Sequence, residues 1–126
     1  MKTQELFNYI DELYPRYVEF WKSICTIETP TSDKARVDEL GSFLKRSAEE
    51  LDFKICEHVE IQSGNALCFT MNPDAQGTPV CFSAHMDTVH PVGSFGKIPV
   101  HTDDTYIYGP GVADCKGGIA AGFLAM

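Results

Sequence analysis

The 126-residue sequence has no run near the roughly 20 apolar residues that a membrane helix needs, and no membrane partner is expected. Its first residues, Met1-Lys2-Thr3-Gln4-Glu5, lack the apolar core of a signal peptide. Basic residues are scarce, 10 against 18 acidic, and the formal charge of −8 repels polyphosphate, which makes nucleic acid and anionic membrane poor candidates for partners. No C-x-x-C pair occurs. The cysteines at 25, 56, 68, 81 and 115 are odd in number, which fits reduced thiols in a cytoplasmic protein better than a disulfide framework. Cys115, beside Asp114, is read as an inert buried thiol. There is no G-x-S-x-G elbow, and no histidine is evidently paired with Cys115, which removes the usual serine and cysteine hydrolases. Internal repeats and low-complexity segments are also missing.

What is present suits one globular domain. The apolar fraction is 44%, enough for a core in a chain of this length. From Gln4 to Ile27 the residues Leu6, Ile10, Leu13, Tyr17, Phe20 or Trp21, and Ile24 recur every three or four positions, the period of an amphipathic helix. Pro15 predicts a kink or a fresh start within it. Pro30 breaks the pattern, and Ser32 or Asp33 can cap a second helix with Val37, Leu40, Leu44, Ala48 and Leu51 on one face. After Asp52 the period falls to two: Phe53, Ile55, Val59 and Ile61 alternate with Lys54, Cys56, His58 and Glu60, as in a half-buried strand. His58 falls on its polar face. Ser63-Gly64-Asn65 reads as a hairpin turn into Ala66–Met71, and Asn72–Gly77 as a loop. Pro79–Ala84 has the composition of a strand buried on both faces. A further short strand is expected at Thr105–Tyr108, and an apolar helix beginning at Ile119 that stops without a cap, as though the chain were cut. Two helices followed by strands predict an α/β layer structure.

Two stretches carry chemistry. The first, Ser83-Ala84-His85-Met86-Asp87-Thr88-Val89, ends an apolar run with a histidine and a carboxylate two residues apart. On extended chain such residues share a side. A metal-bound imidazole usually gives its second N–H to a carboxylate or carbonyl, so His85 is a candidate metal ligand and Asp87 its orienting acid. The second stretch, Gly109-Pro110-Gly111-Val112-Ala113-Asp114-Cys115-Lys116-Gly117-Gly118, sets Asp114 between a glycine turn and small residues. Gly109 and Gly111 would let the loop crowd a metal centre, and Gly117, Gly118 and Gly122 would let a helix pack under it. Nitrogen plus carboxylate ligation without a cysteine cluster favours zinc, with cobalt or manganese as substitutes.

These two motifs, in this order, resemble the zinc exopeptidase and deacylase family that includes glutamate carboxypeptidase, acetylornithine deacetylase, succinyl-diaminopimelate desuccinylase and aminoacylase. The likeness extends over essentially the whole chain. It implies that residues 1–126 are the N-terminal part of a zinc-exopeptidase-type catalytic domain. In that reading two helices are followed by strands of a mixed sheet, and a lid or dimerisation domain and the rest of the catalytic domain lie outside. It also implies that His85 binds zinc, that Asp87 is the catalytic acid orienting it, and that Asp114 bridges two zincs, with a cis peptide at Asp114–Cys115. A downstream glutamate pair would supply the general base, and a water made acidic by two zincs would attack an amide carbonyl. The implied substrate is a small peptide or an N-acyl-amino acid, and the full-length protein would be a homodimer. Gly-Pro-Gly at 109–111 is more like the glutamate carboxypeptidases than the deacetylases, which often carry arginine in its middle. An N-acyl-amino-acid deacylase is the alternative, as is a non-catalytic binding module of the same fold.

Overall fold

α1 spans Thr3–Thr26 in the computed structural model, which describes residues 2–126. Its first turn is closed by Glu5, which accepts a hydrogen bond from the Lys2 backbone N–H at 2.8 Å. The helix runs unbroken through Pro15, so the expected fresh start does not occur. Pro15 and Asp11 both lie on the exposed side, where the carbonyl that loses its N–H partner is open to water. Only the second half of the stripe is covered: Ile24 and Cys25 are buried, whereas Leu6 and Phe7 are exposed.

α2, Lys34–Glu49, starts at Asp33, whose carboxylate accepts from the Arg36 N–H, and it buries Val37, Leu40, Leu44 and Ala48 as their spacing predicts. β1 (Lys54–His58) and β2 (Ala66–Thr70) form an antiparallel hairpin with Ile55 opposite Phe69. The pairing stops at His58, and Val59 and Ile61, expected on the covered face, stand in solvent. β3 (His101–Thr102) and β4 (Ile107–Tyr108) make a second antiparallel pair around the Asp103–Asp104 turn. α3, Lys116–Ala125, begins three residues before the expected Ile119.

The class is α/β: three helices with short antiparallel strands. The strands form two separate pairs rather than one mixed sheet, and the parallel contact between Pro30 and Thr88 is an isolated bridge. Pro79–Ala84 differs from expectation as well. It pairs with no strand among the described residues, leaving Val80 82% and Phe82 59% exposed. Apolar composition makes a segment able to be buried, but burial needs layers on both faces, and here no element covers it.

The core gathers where α1, α2 and α3 meet, around Ile24, Leu40, Leu44, Phe53, Ile119 and Phe123. Phe123 lies at its centre, with ring centroids 5.1 Å from Phe20, 5.6 Å from Phe69 and 6.0 Å from Phe53. Tyr17 donates its hydroxyl to the Phe123 carbonyl at 3.1 Å, and Trp21 Nε1 donates to the Val112 carbonyl at 3.0 Å. α1 thus carries both α3 and the loop before it. No helix among the described residues is long and apolar enough to cross a membrane.

Candidate metal centre

Two loops hold the motif residues. Ser83–Val89 is fixed through a crossing with residues 29–31. The Thr88 N–H donates to the Thr29 carbonyl at 2.7 Å, and the Thr31 N–H donates to the Thr88 carbonyl at 3.0 Å. The buried Thr29 adds its hydroxyl to the Met86 carbonyl at 2.7 Å. The other loop, Gly109–Cys115, touches this crossing at Gly111. There φ is +73°, and an added Cβ would stand 2.8 Å from Thr88 Cγ2, so only glycine fits both the backbone and the space. Of the helix glycines, Gly117 is the tight one: a Cβ would come to 2.5 Å from the Val112 carbonyl oxygen, whereas Gly122 has open space. Lys116, fully buried, anchors this loop to the end of α1 by donating from Nζ to the Ile27 carbonyl at 2.6 Å.

The crossing brings His85 and Asp114 together, with Nε2 to Oδ1 at 2.8 Å. The other ring nitrogen, Nδ1, faces Asp87, 2.9 Å from its backbone carbonyl and 3.3 Å from Oδ1 of its carboxylate. Nδ1 therefore faces two acceptors on one residue, one main-chain and one side-chain, which residue spacing alone does not reveal. The Asp114–Cys115 peptide is cis, as the resemblance implies. Cys115 has a part that its isolated position in the sequence did not signal. Its Sγ accepts the His85 backbone N–H at 3.3 Å and lies 3.7 Å from the His85 carbonyl, so the half-buried thiol clasps the backbone of the histidine. All five cysteines are free.

A neutral imidazole that donates from Nδ1 presents a lone pair at Nε2, and Asp114 presents another. At 2.8 Å a cation or a proton must lie between them. The hydrogen bond to Asp114 accordingly raises the proton affinity of His85 above the ordinary histidine value, with partial burial opposing it. Asp87 is held below the usual carboxylate range, first by a hydrogen bond from the Thr31 hydroxyl and then by its proximity to His85, against a cost of burial.

The donor pair fits one edge of a zinc site. Two ligands each about 2.0–2.1 Å from a tetrahedral zinc stand about 3.4 Å apart, so the nitrogen–oxygen pair, now at the hydrogen-bond distance of 2.8 Å, would open slightly to admit the ion. The Asp114 side chain is 88% exposed, so its second oxygen is accessible. The set is not a complete site: among the described residues no three His, Cys, Asp or Glu side chains converge as a metal-binding group. An open cleft of about 200 Å³, lined by Thr88, His90, Gly111 and Asp114 among others, adjoins the pair. A larger hollow of about 310 Å³ between α1 and α2, lined by Arg16, Phe43 and Arg46, contains none of the motif residues. Of the other histidines, His58 lies on the surface 3.4 Å from Glu60, and His101 stacks on Tyr108.

Residues 81–126, which include His85, Asp87 and Asp114, match the peptidase family M20/M25/M40. Carboxypeptidase G2 of Pseudomonas sp. (strain RS-16) is 28% identical over 117 residues, 91% of this chain and 28% of that protein. Succinyl-diaminopimelate desuccinylase of Wolbachia pipientis wMel is 29% identical over 115 residues, 86% of this chain and 27% of that protein. Over residues 81–126 the chain is similar to the M20 family. The chain spans about a quarter of the length of those curated relatives. Its last glutamate is Glu60, ahead of both motifs, so no glutamate follows Asp114 within residues 1–126.

Proposed function

We propose that the whole protein is a two-zinc hydrolase of peptide or amide bonds, an exopeptidase of the glutamate carboxypeptidase kind, and that residues 1–126 contribute one corner of its centre. The observation that carries this reading is the 2.8 Å approach of His85 Nε2 to Asp114 Oδ1, with Nδ1 already engaged by Asp87. Bound zinc would supply Lewis-acid polarisation of the scissile carbonyl and acidify water; cobalt or manganese would serve as substitutes. In this reading His85 would hold the metal through Nε2, Asp87 would orient the ring from Nδ1, and the open carboxylate of Asp114 would supply oxygen ligands. A proton on His85 competes with the metal, so metal affinity rises with pH through the histidine's elevated titration range.

The likeness to carboxypeptidase G2 and the Gly109-Pro110-Gly111 turn support the peptidase reading. The likeness to a desuccinylase supports the alternative, an N-acyl-amino-acid deacylase. With no glutamate after Asp114 to serve as base, residues 1–126 alone bind zinc weakly and do not turn over substrate in this account. The protein would work in the cytoplasm, as a homodimer, on small substrates.

The test is hydrolysis of dipeptides and acyl-amino acids by the zinc-loaded whole protein. Turnover is expected, with loss on chelation, and the preferred class of substrate separates peptidase from deacylase. Asp87→Ala should lower activity about 10–100-fold while part of the metal stays bound. A zinc-loaded whole protein that cleaves neither class, as a non-catalytic module would, contradicts the reading, and so does full activity in Asp87→Ala.

A further inference from the structure

One polar contact reaches the His85–Asp87–Asp114 cluster from outside both motifs. Thr31, 56 positions before Asp87, places Oγ1 2.6 Å from Asp87 Oδ2 and 3.1 Å from the Thr88 carbonyl. A hydroxyl has one proton to give. The Thr88 carbonyl is already served by the Thr31 backbone N–H at 3.0 Å, and a carboxylate is the stronger and nearer acceptor, so the proton goes to Asp87. The backbone crossing of residues 29–31 with 86–88 is held by main-chain bonds and by the Thr29 hydroxyl. What the Thr31 hydroxyl adds is a hold on the carboxylate itself. With Oδ2 on Thr31, the other oxygen, Oδ1, faces His85 Nδ1 at 3.3 Å.

We propose that Thr31 is a positioning residue for His85: its hydroxyl fixes the Asp87 carboxylate, which draws the ring proton toward Nδ1 against the pull of Asp114 on Nε2. The inference rests on the reading of His85 as a metal ligand for its significance, but not for its test. Thr31 is exposed, so its hydroxyl has little to do with the core. A residue with only a structural part would change stability and leave the ring alone.

The experiment is ¹⁵N NMR of the histidine ring nitrogens in the chain at alkaline pH, where the imidazole is neutral, without metal. Wild type and Thr31→Ser should show the same ratio of the Nδ1–H and Nε2–H tautomers at His85, set by Asp87 on one side and Asp114 on the other. Thr31→Val should shift the tautomer ratio toward Nε2–H by about threefold, the worth of part of a hydrogen bond. In an Asp87→Ala background the Thr31→Val effect should vanish, since the pair then has nothing left to couple. An unchanged ratio in Thr31→Val overturns the proposal, and so does an equal shift in the Asp87→Ala background. A fall in the urea midpoint for Thr31→Val without a shift in the ratio also overturns it, because the role is then structural. Zinc added to wild type separates the two readings: if the His85 resonances do not respond while the tautomer results hold, the metal assignment fails and the Thr31 assignment stands.

Discussion

Phe123→Ala is expected to lower the unfolding free energy of the chain by about 3–5 kcal/mol, the usual loss for a buried aromatic ring. The ring is 6% exposed and sits among Phe20, Phe53 and Phe69, so its removal leaves a cavity lined by three aromatics that cannot all close on it. Small domains are stable by only about 5–15 kcal/mol, and a loss of this size unfolds a substantial population. α3 also carries the loop with Asp114, so the site loosens with the core. Urea denaturation of the variant beside Ile98→Ala is the check. Ile98 is 76% exposed, and its variant should match wild type. Equal midpoints for wild type and Phe123→Ala would contradict the packing described.

The second large effect is one of pH. Lys116 is completely buried, and burial pushes its ammonium down from 10.5 to about 8, against the attraction of Cys25 and Glu28. Cys25 is buried beside it, and burial pushes its thiol up from 9.0 to about 11, against the pull of Lys116. Between pH 8 and 10.5 the unfolded chain keeps a lysine proton that the folded chain has released, so this group makes stability rise with pH. At about 1.4 kcal/mol per pH unit the full rise is about 3 kcal/mol. Between pH 9 and 11 the unfolded chain loses a thiol proton that the folded chain keeps, and this group makes stability fall. Together they predict a rise from pH 8 to 9, a plateau to about 10.5 and then a decline. Cys25→Ala should expose the whole lysine rise, and Lys116→Met should remove it. Urea titrations across that range decide the matter; an unchanged rise in Lys116→Met would place the titrating group elsewhere.

That lysine marks where reading by residue pattern reaches its end. The pattern predicted α2 closely, because Val37, Leu40, Leu44 and Ala48 lie on one face and Asp33 caps it. The hairpin from Lys54 to Thr70 was legible for the same reason, period two with a Gly64-Asn65 turn. Nothing in the sequence pattern marks Lys116 as buried, and only the contact with the Ile27 carbonyl, 89 positions away, shows where its ammonium is held. Pro79–Ala84 erred in the other direction. Its residues are those of an interior strand, but interior is a property of neighbours, and none covers it among the described residues.

At the site, His85, Asp87 and Asp114 stood out in the sequence because histidine and carboxylates near glycine turns suit metal chemistry. Their proximity confirms that the two loops meet, with a 2.8 Å contact between positions 29 residues apart. The supporting residues were hidden. Thr31 lies in what reads as a simple helix-breaking loop, and Cys115 reads as an isolated thiol. Both act through single atoms on partners far away in the chain, which no periodicity records.

The central claim is that His85 and Asp114 share a metal ion. Its most direct test is zinc titration of the chain followed through the ¹⁵N signals of its four histidines. The account predicts that His85 Nε2 responds first and more strongly as pH rises, and that the response is lost in Asp114→Ala while the signals of His58 and His101 stay still. Zinc that moves the four histidines alike, or a His85 response that survives Asp114→Ala unchanged, would contradict it.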